Sequence, residues 1–488
     1  MRVMLFQPAV PGESGYRFGA IANGLIALAI RCMESRQDVR ICHLNGSRSD
    51  IPAFVRSKLA RFQPELVGIN LTWHLHCAQA LDMVAACNRV APGMTVLLGG
   101  PTASLFAEDL IRWAAKRGRD WIPSYVVCGD GEPPIDEFLH STRRPQWNVC
   151  YMDATGAVLR TPVRTADPHQ LRGHLPFNVS ELIDDWPLYL SRRGVRTSVP
   201  GVESRVGHYI SPDEVDVYVG RGCRNNCVYC GGGRDAQRIT MGRCTYSFRD
   251  PGEVRADVLA LANSGAKRVY FDFDPDPSRA FYRKLFSELG PVRAAVMFSA
   301  WSGPLDCDLL ESMRRCFETV EVVISPDTGS ERLRRELIGR GYGRVPFYSN
   351  SELDCFFREL ASRGFHAMCY FTCGLPWETK ADRTATLQFA RQLKRSHPML
   401  FVKSYDPRAD RNLTSPPLYL EPASPLHLSP DDFGVRIHRR TFAEFEEDSA
   451  GKSGHPLGVH SKQYAYERDV LSRSLEFSQY VHGTQGSV

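Results

Sequence analysis

Short apolar runs alternate with helical patterns through the first 140 or so residues, and this alternation constrains the fold more than any other feature of the chain. The runs "RVMLFQPAV" (2–10), "VRICHLN" (39–45), "ELVGINLTW" (65–73), "TVLLGGP" (95–101) and "SYVVCGDGE" (124–132) read as five strands. Between them Ile21, Leu25 and Leu28 recur at helical spacing, as do Leu81, Val84 and Ala85, and Asn45-Gly46 and Pro92-Gly93 punctuate the pattern. Strands that alternate with helices bury both faces and pair in parallel, so the expected fold is α/β, a doubly wound Rossmann-like sheet. Ligands of such sheets bind outside the carboxyl ends of the strands. That rule singles out residues 7–12, 72–76, 99–104 and 129–132. Gly99 and Gly100 either form a tight turn or let a backbone approach something large. No G-x-G-x-x-G follows the first strand, which argues against a dinucleotide.

The alternation resumes over about 214–405, and its first strand, "EVDVYVGRG" (214–222), runs into "CRNNCVYCGGG". Cys223, Cys227 and Cys230 therefore lie on a loop at the carboxyl end of a strand, where (β/α) folds carry their chemistry. A zinc ribbon would offer two Cys-x-x-Cys pairs, but here Cys244 stands alone, fourteen residues on. Three thiolates on one short loop suit three irons of an iron–sulfur cluster. The competing reading is a zinc loop completed by Cys244 or a histidine.

Composition narrows the function classes. Of 488 residues 43% are apolar, enough for packed cores, and the formal charge is only +5. Arg192, Arg193 and Arg196 read as a solvated face, so neither nucleic acid nor a membrane is expected as a partner. "GLIALAI" falls far short of a membrane span. Fifteen cysteines without a secretory signal point to free thiols in a reducing cytoplasm.

The stretch "LLGGPTAS", followed by "VVCGDGE", resembles the cobalamin-binding domain that precedes many radical SAM domains. The resemblance implies cobalamin contacts at Gly99, Gly100, Pro101, Thr102, Gly129, Gly131 and Glu132. The Asp-x-His-x-x-Gly signature that supplies a histidine to cobalt is absent, and His43 is not in that context. Cobalamin bound without that histidine is implied, with Trp73, His74 and His76 placed to cover its lower face. Trp73 would exclude water from the flat macrocycle, whereas the two histidines could equally be ordinary polar residues at a strand end.

The cysteine loop, with Tyr229 as its aromatic, resembles the Cys-x3-Cys-x-aromatic-Cys motif of the radical SAM superfamily. It implies a 4Fe–4S cluster on Cys223, Cys227 and Cys230, S-adenosylmethionine (SAM) on the open iron, and Gly231 and Gly232 close to both. "GAKRVYFDFDPDP" (265–277) stands where the family contacts the methionine amino group, with Asp272, Phe273 and Asp274 in place of the usual Gly-Gly-Glu. Asp274 and Asp276 are candidates for a cofactor contact and a substrate base, or are solvated loop acids. "VEVVISPDTGSERLRRELIGRG" (320–341) resembles the family's "ESGS…R" segment and offers Ser325, Asp327 and Arg340. "FHAMCYFTCGLPWET" (365–379) resembles its "GlPgEt" strand, with Gly374 at the turn.

The expected organisation is a cobalamin-binding domain over 1–140, an irregular linker over 141–212, a partial (β/α)6 radical SAM domain over 213–405, and a small α-rich cap over 406–488. The resemblance implies a class B radical SAM methyltransferase that moves a methyl group from SAM by way of cobalamin to a carbon of a small natural-product scaffold. A similarity to the pyrrole C-methyltransferases of aminocoumarin antibiotic biosynthesis, carried by no single motif, would make that carbon part of a pyrrole ring. A protein electron donor such as flavodoxin or ferredoxin is implied as partner. Rearrangement or cyclisation without methyl transfer, and non-enzymatic cobalamin or redox sensing, are the rival readings.

Overall fold

The computed structural model describes residues 1–8, 21–44, 50–141, 144–166, 182–185, 197–199, 202–204, 214–217, 219–263, 268–271, 280–301, 303–304, 306–372, 374–397, 400–403, 421–437, 439–450 and 464–466. The chain divides into two compact units. One comprises Met1–Ser211, Gln237–Arg243 and Arg439–Val459, and the other comprises Pro212–Ala236, Cys244–His438 and His460–Val488.

The first unit is built on β1 (Arg2–Gln7), β2 (Asp38–His43), β3 (Leu66–Asn70), β4 (Thr95–Gly99), β5 (Tyr125–Val127), β6 (Val149–Met152) and β7 (Val158–Arg160), in the order β2-β1-β3-β4-β5-β6-β7. The first five strands pair in parallel, as expected from their alternation with α1 (Asn23–Glu34), α2 (Ile51–Phe62), α3 (Cys77–Val90), α4 (Pro101–Leu105), α5 (Ala107–Arg117) and α6 (Glu132–His140). All five residues of β3 are buried, the signature of a strand covered on both faces. One face packs Val55 and Leu59 of α2, Leu81 and Val84 of α3 and Leu110 of α5 against Met4, Phe6 and Val67. The other packs Leu25 and Ala29 of α1 and Ile135 of α6 against Val3 and Leu5. The sheet is thus doubly wound.

The unit extends past residue 140. Strands β6 and β7 add to the sheet antiparallel, with Val126 opposite Cys150 and Cys150 opposite Arg160. This part of the expected linker is ordered sheet, because Val149, Cys150 and Tyr151 bury against β5. A short antiparallel ribbon, β8 (Thr197–Val199) with β9 (Val202–Ser204), also falls in the 141–212 stretch.

The second unit carries a six-stranded parallel sheet in strict sequence order, β10 (Glu214–Asp216), β13 (Arg268–Phe271), β14 (Val292–Trp301), β15 (Phe317–Asp327), β16 (His366–Phe371) and β17 (Leu400–Lys403). A small hairpin pairing, β11 (Gly220–Arg221) with β12 (Ser247–Phe248), flanks the cysteine loop. Helix α7 (Arg234–Met241) begins in this unit and continues into the first; the unit's other helices are α8 (Pro251–Asn263), α9 (Ala280–Leu289), α10 (Cys307–Cys316), α11 (Glu331–Gly339), α12 (Asn350–Ser362) and α13 (Lys380–Ser396). Their starts follow local chemistry. Ser349 with Glu352, and Thr379 with Asp382, form capping boxes at α12 and α13.

The tail does not form one cap. The helix α14 (Pro425–Leu428) and the pair β18 (Val435–Ile437) with β19 (Tyr464–Tyr466) belong to the second unit, whereas α15 (Phe442–Ser449) belongs to the first. Phe442 and Phe445 complete the apolar core on the α3–α5 face. Glu446 pairs with Arg117 at 2.7 Å, Asp109 accepts from the Phe442 amide at 2.6 Å, and the Ser449 hydroxyl accepts from the Ala78 amide, near the start of α3, at 2.9 Å. Amphipathic helices take most of their stability from such packing.

Candidate active site

In the second unit the site is the cysteine loop and what braces it. Cys227 is buried, and Cys223 and Cys230 are half-buried; none of the described cysteines is in a disulfide. The loop turns through a Cys230 N–H to Cys227 C=O bond of 3.0 Å, and Asn225 C=O accepts from Arg234 N–H at 2.8 Å as α7 begins. Val228 packs with Leu333, Leu337, Leu375, Leu426 and Phe433, so the cysteines hang from an apolar plug. Burial pushes the Cys227 thiol well above its ordinary range, and burial with Glu421 nearby lifts Cys230 to about 12. Deprotonating such thiols calls for bound cationic metal, and soft thiolates are the ligands of iron–sulfur clusters. The Gly232 amide donates to the Cys230 sulfur at 3.4 Å, the kind of bond that cluster thiolates accept. Among the described residues no three His, Cys, Asp or Glu side chains converge to hold a single ion.

Tyr229, read from sequence as a cofactor neighbour, turns its hydroxyl to Asp327 at 2.6 Å. Burial, with Asp327 beside it, pushes the phenol well above its ordinary range, so it is a donor at neutral pH. Asp327 ends β15 with φ +65° and also accepts from Arg344 Nε at 3.3 Å. Arg344 is the residue that sequence reasoning missed, lying in "GYGRVPF" without a motif to mark it. Arg340, the sequence candidate, lies at the surface. It pairs with Glu336 at 2.9 Å and lies 4.2 Å over the Trp377 ring. Ser325 is half-buried on β15. A small cavity beside Asp327 is lined by Pro326, Arg334, Arg344, Pro346 and Tyr348. The Gly374 amide is taken by the Glu378 carboxyl at 2.8 Å, and burial lifts that carboxyl to about 7. Asp272, Asp274 and Asp276 lie outside the described residues.

In the first unit the carboxyl edge of the parallel strands carries a polar chain. Asn70 donates to Gln7 Oε1 at 2.9 Å, Thr72 donates to Asn70 Oδ1 at 2.7 Å, and Thr102 donates to the Thr72 carbonyl at 2.8 Å. Gly100 has φ +123°, and a Cβ there would stand 2.7 Å from the Leu71 carbonyl. The close approach inferred at this glycine is therefore by the β3 loop. Pro101 starts α4, and Gly99, at the end of β4, faces Val127. Ser104 Oγ accepts from the Gly129 amide at 2.9 Å. Asp130 is buried against Arg243 at 2.5 Å, Gly131 faces Leu28, and Glu132 is buried in the first turn of α6.

Trp73 is half-buried directly after this edge. His74 turns inward, its ring edge-to-face with Phe445 at 5.3 Å. His76 is fully buried, and that burial, with His74 nearby, lowers its imidazole to about 3. Both rings belong to the core that α15 closes. The edge that Trp73, Gly99–Thr102 and Gly129–Glu132 share is the binding edge expected for a doubly wound sheet.

Residues 217–390 match the family model of the Radical SAM superfamily. No curated protein matches. Among solved structures the chain is similar to the radical S-adenosylmethionine methyltransferase TsrM from Kitasatospora setae. Against its form with cobalamin and a [4Fe-4S] cluster bound, the TM-score is 0.62 at 15% identity, over 91% of this chain and 84% of that one. Against its form with tryptophan substrate and a SAM analogue, the TM-score is 0.61 at 16% identity, over 90% and 77%. It is also similar to the cobalamin-dependent S-adenosylmethionine radical enzyme OxsB with aqua-cobalamin and S-adenosylmethionine bound, at a TM-score of 0.54 and 11% identity, over 99% of this chain and 61% of that one. These likenesses show the fold.

Proposed function

We propose, from the premise that this chain joins a radical SAM domain to the α/β domain of the cobalamin-dependent radical SAM architecture, that it is a C-methyltransferase using a 4Fe–4S cluster, cobalamin and SAM. The observation that carries the reading is the loop of three cysteines, none in a disulfide, at the carboxyl side of the first strand of a six-stranded parallel sheet. When bound, the cluster and cobalamin supply electron delivery to a sulfonium and a methyl-carrying centre, chemistry that no side chain offers. The protein's part is placement and water exclusion.

Cys223, Cys227 and Cys230 would hold three irons. Tyr229, Asp327 and Arg344 fix the loop that carries them. Trp73, Gly99, Gly100, Pro101, Thr102, Gly129, Gly131 and Glu132 would form the cobalamin edge. The inward turn of His74 and the burial of His76 support cobalt without a protein histidine. Asp272, Asp274 and Asp276 keep their roles as SAM contact and substrate base on the strength of their sequence context.

The acceptor in this reading is a carbon of a small natural-product scaffold, a pyrrole being the candidate ring, and a flavodoxin or ferredoxin supplies electrons. Among the described residues no helix is long and apolar enough to cross a membrane. The test is anaerobic incubation of the reconstituted protein with methyl-labelled SAM and candidate scaffolds, read by mass. A product heavier by one labelled methyl group supports methyl transfer. A product rearranged or cyclised without that gain would refute it.

A further inference from the structure

The glycine run after Cys230 suggests close contact with a cofactor, yet at Gly231 the neighbour is the chain's own tail. A Cβ on Gly231 would stand 2.3 Å from the Pro422 carbonyl oxygen and 3.2 Å from Glu421 Cβ. The Glu421 carboxylate accepts from the Gly231 amide at 2.7 Å. Five residues on, the Leu426 amide donates to the Val228 carbonyl at 3.0 Å, and Leu426 joins Val228 in the same apolar cluster. Ser424 caps the short helix that carries Leu426, its hydroxyl accepting from the His427 amide. Residues 421–426 thus run along 228–231 and hold the loop at both ends.

We infer that Glu421 is a positioning residue for the cluster loop and that its charge lowers the reduction potential of the cluster held there. The inference rests on the three-cysteine cluster reading. Two effects act in the same direction. Burial raises the Glu421 carboxyl above its ordinary range against the pull of its bond from the Gly231 amide, and in its ionised form it opposes the arrival of an electron on the cluster. By engaging the Gly231 amide, the carboxylate also keeps that donor from the cysteine sulfur, leaving the Gly232 amide on Cys230. Hydrogen bonds to sulfur and nearby charge are the protein's means of setting such potentials. Gly231 is then a glycine because the tail must pass it.

The test uses the full-length chain, reconstituted anaerobically without SAM. Iron and sulfide per chain are measured, and the cluster is titrated redox-wise with electron paramagnetic resonance as the readout. Glu421→Gln keeps an acceptor for the Gly231 amide and removes the charge. It should keep wild-type iron content while its midpoint potential moves upward. Glu421→Ala should move the potential upward and lower the iron content, because the loop is no longer held. Gly231→Ala should lower the iron content by pushing Pro422 away. A Glu421→Gln protein with the wild-type potential would overturn the inference and leave Glu421 a packing group. Should Glu421→Ala fail to fold, the Gln variant still decides. A wild-type chain that assembles no cluster would overturn the function proposed above together with this inference.

Discussion

Lowering the pH should weaken the first unit through His76, by an amount that can be worked out. The ring is fully buried and neutral, with its pKa lowered to about 3 by burial and by His74. An unfolded histidine titrates near 6.5. The folded value is the depressed one, so this contribution to stability is present above about pH 6.5. It is lost as the pH falls below that value, where only the unfolded chain takes the proton. Between about pH 7.5 and pH 5 the linkage relation gives a loss of about 2 kcal/mol, and the loss would reach ~4 kcal/mol near pH 3. For a unit of this size about 2 kcal/mol corresponds to a fall of roughly 4–8 °C in melting temperature. The assay is denaturant unfolding at both pH values for wild type and His76→Leu. The variant removes the titrating group, so its stability should fall less, by about that 2 kcal/mol. Equal pH dependence in the two proteins would refute the claim that His76 is held neutral in the core.

Other consequences follow from the same packing. Phe445→Ala should destabilise the first unit by about 3–5 kcal/mol, the usual cost of emptying an aromatic core site, read as an earlier transition on urea unfolding. Arg243→Ala leaves the Asp130 carboxylate buried without its 2.5 Å partner and should cost about 3–5 kcal/mol; Asp130→Asn in the same background should recover part of that loss. Tyr229→Phe removes the donor to Asp327 and should lower cluster retention during gel filtration, with a stability loss of about 1–3 kcal/mol on thermal unfolding. Asp274→Asn and Asp276→Asn should separate the two proposed roles. Loss of a SAM contact weakens SAM binding, whereas loss of a substrate base leaves SAM binding intact and lowers product formation by ~10²–10⁴-fold.

The five parallel strands of the first sheet and the first five of the second were legible because each lies in an apolar run, whereas β17 was not read as a strand; the cysteine spacing was legible because it is local. What escaped depends on partners far away in sequence. Strands β6 and β7 are three or four residues long, too short for a period to register, and they exist because β5 offers an edge. The position of His74 after β3 was plain, but the direction of its ring is set by Phe445, some 370 residues later. Arg344 and Arg340 are alike in sequence. Arg344 reaches the Asp327 carboxylate, whereas Arg340 faces Glu336 one helical turn away. The glycines were recognised as close approaches, yet the approaching groups at Gly100 and Gly231 are backbone carbonyls of this chain. Asp272, Asp274 and Asp276 lie outside the described residues, so their roles stand on sequence alone.

The account turns on three thiolates holding a cluster with one iron left open. Electron paramagnetic resonance of the reduced, reconstituted protein, recorded with and without SAM, tests this most directly. Wild type and Cys244→Ala should both show a 4Fe–4S signal that changes on adding SAM, and the protein with Cys223, Cys227 and Cys230 all replaced by alanine should show none. A normal cluster signal in that triple variant, or stoichiometric zinc and no cluster in wild type, would contradict the account.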